Sequence, residues 1–95
     1  MLAKSRSANL IIFSGKLHDI DFRRAIFELS KAYENLCGYV RNIPDFAIEL
    51  LLIGEQNEIE MLLDDIIRHE LGCHITSMDY SKIDNIETYN SFSII

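Results

Sequence analysis

Two short stretches of the chain carry side chains that could act together on a small anion. The first, residues 15–23, runs from a strand-like segment into a helix and ends at Arg23. The second, residues 38–45, follows that helix and contains Asn42. An arginine in the first turn of a helix presents a planar fork of N–H donors that matches phosphate oxygens. An asparagine amide both donates and accepts hydrogen bonds, so it could hold a water molecule in line with a phosphorus atom.

The backbone before the helix adds to this potential. Free N–H groups and the helix dipole at a helix N-terminus attract anions. The formal net charge of the chain is −6, so the field of the whole protein repels an anionic substrate. A phosphate site must therefore be made locally, by backbone N–H groups and one or two cations. Arg23 could instead be a solvated residue paired with Glu28, and Asn42 a turn former before Pro44.

The first strand and helix follow from the apolar pattern. Residues 10–13 form a short apolar run that fits a central strand covered on both faces. A helix is predicted from about Phe22 to about Cys37, with Asp21 as its N-cap and Gly38 as its left-handed C-cap. Its core face has helical spacing and consists of Phe22, Ile26, Leu29, Tyr33 and Leu36.

The second half of the chain continues the alternation of strands and helices. Residues 39–43 and 47–53 predict two strands joined as an antiparallel hairpin by the short turn at 44–46. A second helix is closed by Leu71-Gly72, and its apolar stripe consists of Ile59, Leu62, Leu63, Ile66 and Ile67. A fourth strand is marked by Ile75, Met78, Tyr80 and Ile83, a loose loop by residues 81–91, and an edge strand by Phe92, Ile94 and Ile95.

This order predicts an α+β fold, the ferredoxin-like βαββαβ sandwich, in which an antiparallel sheet carries two helices on one face. The 95 residues suffice for one domain with a single core, so we take residues 1–95 as that domain. The apolar C-terminal strand at the sheet edge could pair with a second copy to form a homodimer. The fold hosts many unrelated activities and does not by itself indicate a function.

Composition excludes several classes of partner. A net charge of −6 argues against nucleic acid or an anionic membrane, because both require clustered lysine and arginine. No apolar run is long enough for a membrane span or a secretion signal, so we expect a cytoplasmic protein. Cys37 and Cys73 do not form a disulfide framework, and two reduced thiols are the simpler interpretation, although the sequence leaves a disulfide between them open. The histidines and cysteines match no zinc spacing, so no metal is expected.

The two stretches, in register with the element order, resemble the acylphosphatases, small enzymes that hydrolyse carboxyl-phosphate anhydrides. The matching positions are Phe22-Arg23, and Gly38, Val40 and Asn42 followed by Pro44-Asp45. The resemblance implies that Arg23 binds phosphate with the loop amides and that Asn42 orients the attacking water. It implies a small acyl phosphate or inorganic phosphate as ligand, and no metal, cofactor or covalent intermediate. The implied phosphate-binding positions are His18, Asp19, Ile20, Asp21, Phe22 and Arg23.

The chain departs from the family pattern in this loop. The family typically reads Gln-Gly-Val-Gly-Phe-Arg, whereas Asp19 and Asp21 replace the two glycines here. A left-handed aspartate costs roughly 1–2 kcal/mol, and a carboxylate about 5 Å from a phosphate charge costs on the order of 3 kcal/mol at an effective dielectric of about 20. The alternative hypothesis is therefore a non-catalytic binding or interaction module with a degenerate phosphate loop. Phe46 also stands where the family usually has glycine, which alters the hairpin turn but not the chemistry.

Overall fold

The structure, a computed structural model, describes residues 6–84 and 89–95. Seven main elements and two short 3-10 helices follow one another along the chain. They are β1 (Arg6–Gly15), a 3-10 helix (His18–Ile20), α1 (Phe22–Ser30), β2 (Cys37–Ile43), β3 (Ala47–Glu55), α2 (Gln56–Arg68), a second 3-10 helix (Glu70–His74), β4 (Ile75–Ile83) and β5 (Phe92–Ile94).

The strands form one five-stranded sheet in the order β4-β1-β3-β2-β5. The first four strands pair antiparallel, including the predicted β2–β3 hairpin, in which Ile43 lies opposite Ala47. β5 pairs with β2 in parallel, so the sheet is mixed and the prediction of a purely antiparallel sheet is wrong at this edge. The α+β ferredoxin-like fold is confirmed, and β5 occupies an edge as predicted. Pairing of that edge with a second copy stays a prediction.

The main core lies between the two helices and one face of the sheet. In β1, Ile11 and Phe13 point into this core and are fully buried, whereas Leu10 and Ile12 on the other face are half-buried. Leu10 packs against a smaller buried cluster on that face, formed by Ala8, Leu51 and Ile53. β1 is therefore fully covered on the helix side and partly covered on the other. The other strands contribute Val40, Ile48, Leu50 and Leu52 to this core, and the two helices contribute Phe22, Ile26, Ile59, Leu62, Leu63 and Ile66.

The first helix is shorter than predicted. It ends at Ser30, whose hydroxyl donates to the carbonyl oxygen of Phe27 at 2.6 Å, a local bond that competes with helix propagation. Turns with i→i+3 hydrogen bonds follow and keep Tyr33 packed against the core. Gly38 lies inside β2 instead of capping the helix. A Cβ atom there would lie 1.9 Å from the carbonyl oxygen of Leu51, so this position requires glycine.

The second half also differs in detail. α2 ends at Arg68, and the predicted closing pair Leu71-Gly72 lies in the separate 3-10 helix. Ile67, predicted in the apolar stripe, is 49% exposed because it faces away from the sheet. β4 ends at Ile83, the last residue of the predicted fourth strand, so the predicted loop at residues 81–91 begins later than expected. Residues 85–88 of that loop lie outside the described residues. Met78 and Tyr80 are exposed because β4 is an edge strand.

Candidate active site at the start of the first helix

The loop between β1 and α1 has a defined path. β1 ends at Gly15, where the backbone passes so close to His74 that a Cβ atom would lie 2.1 Å from its carbonyl oxygen. The loop continues through the 3-10 helix His18–Ile20 and reaches Asp21, which is left-handed with φ 58° and ψ 37°. α1 begins at the next residue. The predicted anion loop is therefore a tight turn that delivers the chain directly into the helix.

Asp21 occupies the N-cap position, but the predicted capping interaction is absent. Its side chain makes no hydrogen bond to the helix backbone. Its carbonyl oxygen instead accepts hydrogen bonds from the N–H groups of Arg24 and Ala25, at 3.1 and 3.2 Å. A capping side chain normally comes from a residue in the β region, and the left-handed backbone of Asp21 prevents that geometry. The N–H groups of Phe22 and Arg23 are thus left uncapped at the positive end of the helix dipole.

The two aspartates that replace the family glycines behave differently. Asp21 adopts the left-handed conformation that glycine favours, whereas Asp19 has negative φ within the 3-10 helix. The expected conformational cost therefore applies to Asp21 and not to Asp19. Both residues are exposed. Solvent around their carboxylates weakens the repulsion of a bound anion relative to the estimate for a poorly solvated site.

Arg23 is half-buried in the first turn of α1 and reaches the C-terminal strand. Its Nη1 donates to the main-chain oxygen of Ile95 at 2.8 Å. Ile95 in turn donates its backbone N–H to the carbonyl oxygen of Val40 at 2.9 Å. Glu28, the alternative partner considered for Arg23, pairs with Lys31 instead. The Arg23 guanidinium is thereby held beside β2, close to Val40.

Asn42 lies two residues beyond Val40 on β2, about 7 Å along the strand. Residues two apart point to the same face, and Val40 faces the helices. Ile48, directly opposite Asn42 on β3, is also buried in the helix-side core. Asn42 Oδ1 is buried and has no hydrogen-bond partner among the residues that the structure describes. Arg23 and Asn42 therefore lie on the same face and at the same end of the sheet.

His18 joins the loop to the β2–β3 hairpin. Its Nε2 lies 2.7 Å from the carbonyl oxygen of Ala47. A carbonyl oxygen only accepts hydrogen bonds, so this contact assigns the proton to Nε2. The ring also lies beside Phe46, with ring centroids 5.7 Å apart. Because Ala47 pairs with Ile43, His18 brings the loop to the hairpin end of the sheet, next to Asn42.

The remaining predicted loop residues anchor the site. Phe22 is buried and makes an edge-on contact with Phe13, with ring centroids 5.8 Å apart. Ile20 is half-buried against the same core. These two side chains point inward, so only their backbone groups could contact a ligand. They fix the position of the loop relative to β1.

Sequence reasoning missed two contacts of the site, those of Ile95 and Ala47. Both contribute main-chain oxygen atoms, which carry no side-chain signal in a sequence. The apolar residues at the C-terminus predicted an edge strand, but they did not indicate that the end of this strand would bind Arg23. Phe46, which contacts the ring of His18, could have been noticed in the sequence because it stands where the family usually has glycine.

Two tyrosines away from this site have raised pKa values. The hydrogen bond from Tyr33 to Asp65, together with burial, raises the pKa of Tyr33 to about 12. Burial and a hydrogen bond to Glu49 raise the pKa of Tyr39 to about 12 on the opposite face of the sheet. Arg41 is exposed and forms an ion pair with Glu49 at 3.0 Å.

Other residues considered for chemistry do not join the site. Cys37 and Cys73 are both free thiols, the first half-buried and the second exposed. Within residues 6–84 and 89–95, no three His, Cys, Asp or Glu side chains are arranged to hold a metal ion. In the same part of the chain, no helix is long and apolar enough to cross a membrane.

Known proteins share both this sequence pattern and this fold. The family model for acylphosphatase matches residues 10–94. An acylphosphatase of Shewanella amazonensis is 30% identical over 86 residues, covering 90% of this chain and 92% of the relative. The structure of an acylphosphatase from Coxiella burnetii superposes with a TM-score of 0.84 at 22% identity, with 100% of both chains covered. Full-length HypF, in a phosphate- and nucleotide-bound form, gives a TM-score of 0.83 at 21% identity, covering 99% of this chain and 12% of HypF.

The family model covers nearly the whole chain, including the loop before α1, β2 and all of β5. The two structures at 21% and 22% identity support the fold alone. Together with the relative at 30% identity, the match of the family model leads to one conclusion. This chain belongs to the acylphosphatase family.

Proposed function

We propose that the protein hydrolyses small acyl phosphates by direct attack of water on phosphorus. The observation that carries this proposal is the buried Oδ1 of Asn42, which lacks a partner among the described residues and lies on the same face as Arg23. A buried acceptor without a partner costs about 1–3 kcal/mol. Such a cost is typical of a site that a ligand or a reacting water completes.

The phosphoryl group is placed at the N-terminus of α1. The N–H groups of Phe22 and Arg23 are not capped by Asp21, so they can donate to phosphate oxygens. Nη1 of Arg23 is bonded to Ile95, and its other guanidinium N–H groups are not engaged by the rest of the described chain. These groups form a fork that can hold two further oxygens. Fixed donors of this kind stabilise the charge that spreads over the phosphoryl oxygens in the transition state.

The attacking water is assigned to Asn42. Its Oδ1 accepts a hydrogen bond from the water, which directs a lone pair of the water oxygen toward phosphorus. As the new P–O bond forms, the bond from phosphorus to the acyl oxygen breaks. The carboxylate leaves with that electron pair, and the water proton passes to solvent or to the phosphate product. A carboxylate is a good leaving group, so the reaction requires no general acid.

The exposed carboxylates of Asp19 and Asp21 are the feature that opposes this function. They weaken anion binding without blocking the uncapped N–H groups. The alternative function, a non-catalytic binding module, requires this repulsion to prevent phosphate binding altogether. Hydrolysis of acetyl phosphate, followed as release of carboxylate and inorganic phosphate at high enzyme concentration, distinguishes the two. Turnover above the buffer rate supports the hydrolase, and its absence supports the module.

A further inference from the structure

The tip of the β2–β3 hairpin carries an exposed aromatic ring in an unfavourable backbone conformation. Phe46 is 61% exposed and has φ 62°, the left-handed region that disfavours a bulky side chain. Asp45 before it is also left-handed, with φ 67°. Neither core packing nor turn geometry requires phenylalanine here, because glycine fits this backbone better. A strained, exposed aromatic residue indicates a role in contact with a ligand.

The position of Phe46 connects it to the proposed phosphate site. Its ring lies 5.7 Å from the ring of His18, at an angle of 55°. His18 is also bonded to the carbonyl oxygen of Ala47, the residue after Phe46. The loop and the hairpin tip therefore form one continuous surface. Asn42 precedes Phe46 by four residues on the same hairpin, so the ring borders the site where the phosphoryl group is placed.

We propose that Phe46 binds the acyl part of the substrate and that this protein prefers acyl phosphates with an aromatic acyl group. This inference rests on the proposed function. The phosphoryl group occupies the helix N-terminus, so the acyl group must extend outward, along the surface that Phe46 borders. An aromatic acyl group can stack on the exposed ring. The exposed carboxylates of Asp19 and Asp21 disfavour an acyl group that carries a second negative charge.

The test compares benzoyl phosphate with acetyl phosphate for the wild type, Phe46→Gly and Phe46→Leu. The measured quantity is the ratio of kcat/KM for the two substrates. We expect Phe46→Gly to lower the benzoyl-to-acetyl ratio about fivefold, mainly through a higher KM for benzoyl phosphate. Phe46→Leu keeps an apolar side chain without a ring and gives an intermediate ratio. Asp45→Gly is the matched control, because it relieves the same kind of left-handed backbone strain at the neighbouring residue without removing an aromatic ring.

Folding does not confound this test, since glycine is favoured at φ 62° and circular dichroism verifies each variant. If the wild type hydrolyses acetyl phosphate and Phe46→Gly has the same benzoyl-to-acetyl ratio as the wild type, the inference is overturned and the proposed function stands. An equal fall of the ratio in Asp45→Gly also overturns it, because the effect would then come from the turn. A wild type that hydrolyses neither substrate overturns the proposed function itself.

Discussion

Arg23 and Ile95 lie 72 residues apart in the chain and are joined by a hydrogen bond of 2.8 Å from the guanidinium to the main-chain oxygen of Ile95. Ile95 is bonded in turn to Val40 on β2. This chain of contacts links the start of the first helix to the strand that carries Asn42. The C-terminal strand therefore positions the guanidinium over the proposed site, and leaves part of its N–H fork for a ligand.

Arg23→Lys tests whether that fork is needed. A lysine ammonium has a different reach and cannot both hold Ile95 and bind two phosphate oxygens in a plane. We expect kcat/KM for acetyl phosphate to fall roughly a hundredfold although the positive charge is retained. Arg24→Lys, on the next and exposed residue, is the matched control and should retain wild-type kinetics. A fully active Arg23→Lys enzyme would show that charge alone is sufficient.

Asn42→Ala separates catalysis from stability. We expect kcat to fall about a hundredfold with little change in KM, because the amide acts on water and not on bound substrate. The free energy of unfolding in urea should change by less than about 1 kcal/mol, because removal of the unpaired, buried Oδ1 offsets the packing that the shorter side chain loses. Asn57→Ala, at an exposed asparagine of α2, should alter neither quantity. A KM effect without a kcat effect would assign Asn42 to substrate binding instead.

Asp21→Gly and Asp19→Gly should change stability in opposite directions. Glycine is favoured at the left-handed Asp21, so we expect Asp21→Gly to stabilise the protein by roughly 0.5–1 kcal/mol. At Asp19, inside a 3-10 helix, glycine should destabilise by a similar amount, about 0.5–1 kcal/mol. Urea denaturation measures both values. Equal effects of the two substitutions would contradict the difference in backbone conformation.

The same two variants should both tighten phosphate binding. Each removes one exposed carboxylate near the helix N-terminus, which we expect to lower the Kd for inorganic phosphate about three- to fivefold. Isothermal titration calorimetry at low ionic strength gives the value, and the gain should shrink with added salt. Unchanged affinity in both variants would show that the carboxylates lie away from the bound anion.

Tyr33→Phe gives a pH-dependent loss of stability. The pKa of Tyr33 is raised from 10.0 to about 12 by its hydrogen bond to Asp65, so folding favours the neutral phenol. Its contribution to stability is therefore complete below pH 10 and is lost as the pH rises from 10 to 12. We expect Tyr33→Phe to be less stable by about 1 kcal/mol at neutral pH, with the difference narrowing above pH 10. If the stability difference between the wild type and Tyr33→Phe grew above pH 10, the pKa of Tyr33 would be lowered by folding and not raised.

The sequence predicted the fold where apolar periodicity and pairing agree, as in the β2–β3 hairpin. The roles of Arg23 and Asn42 stay predictions. It did not predict the end of α1 at Ser30, because the i→i+3 turns that follow keep Tyr33 on the core side and preserve the helical pattern. The parallel direction of β5 also carries no local signal. Contacts made by main-chain oxygen atoms, such as that of Ile95 with Arg23, are set by tertiary structure.

The sequence likewise did not predict whether φ is positive or negative at Asp19 and at Asp21. Asp19 and Asp21 both replace glycines, yet only Asp21 is left-handed. The 3-10 helix at residues 18–20 holds Asp19 at negative φ. Identical residue types two positions apart thus carry different conformational costs, which local propensity does not distinguish.

The most direct measurement compares acetyl phosphate hydrolysis by the wild type, Arg23→Ala and Arg24→Ala, each verified as folded by circular dichroism. We expect turnover by the wild type and by Arg24→Ala, and a loss of at least about a thousandfold in Arg23→Ala, because that substitution removes the guanidinium beside the phosphoryl group. Wild-type activity indistinguishable from buffer, or an Arg23→Ala variant as active as Arg24→Ala, would contradict the proposed site.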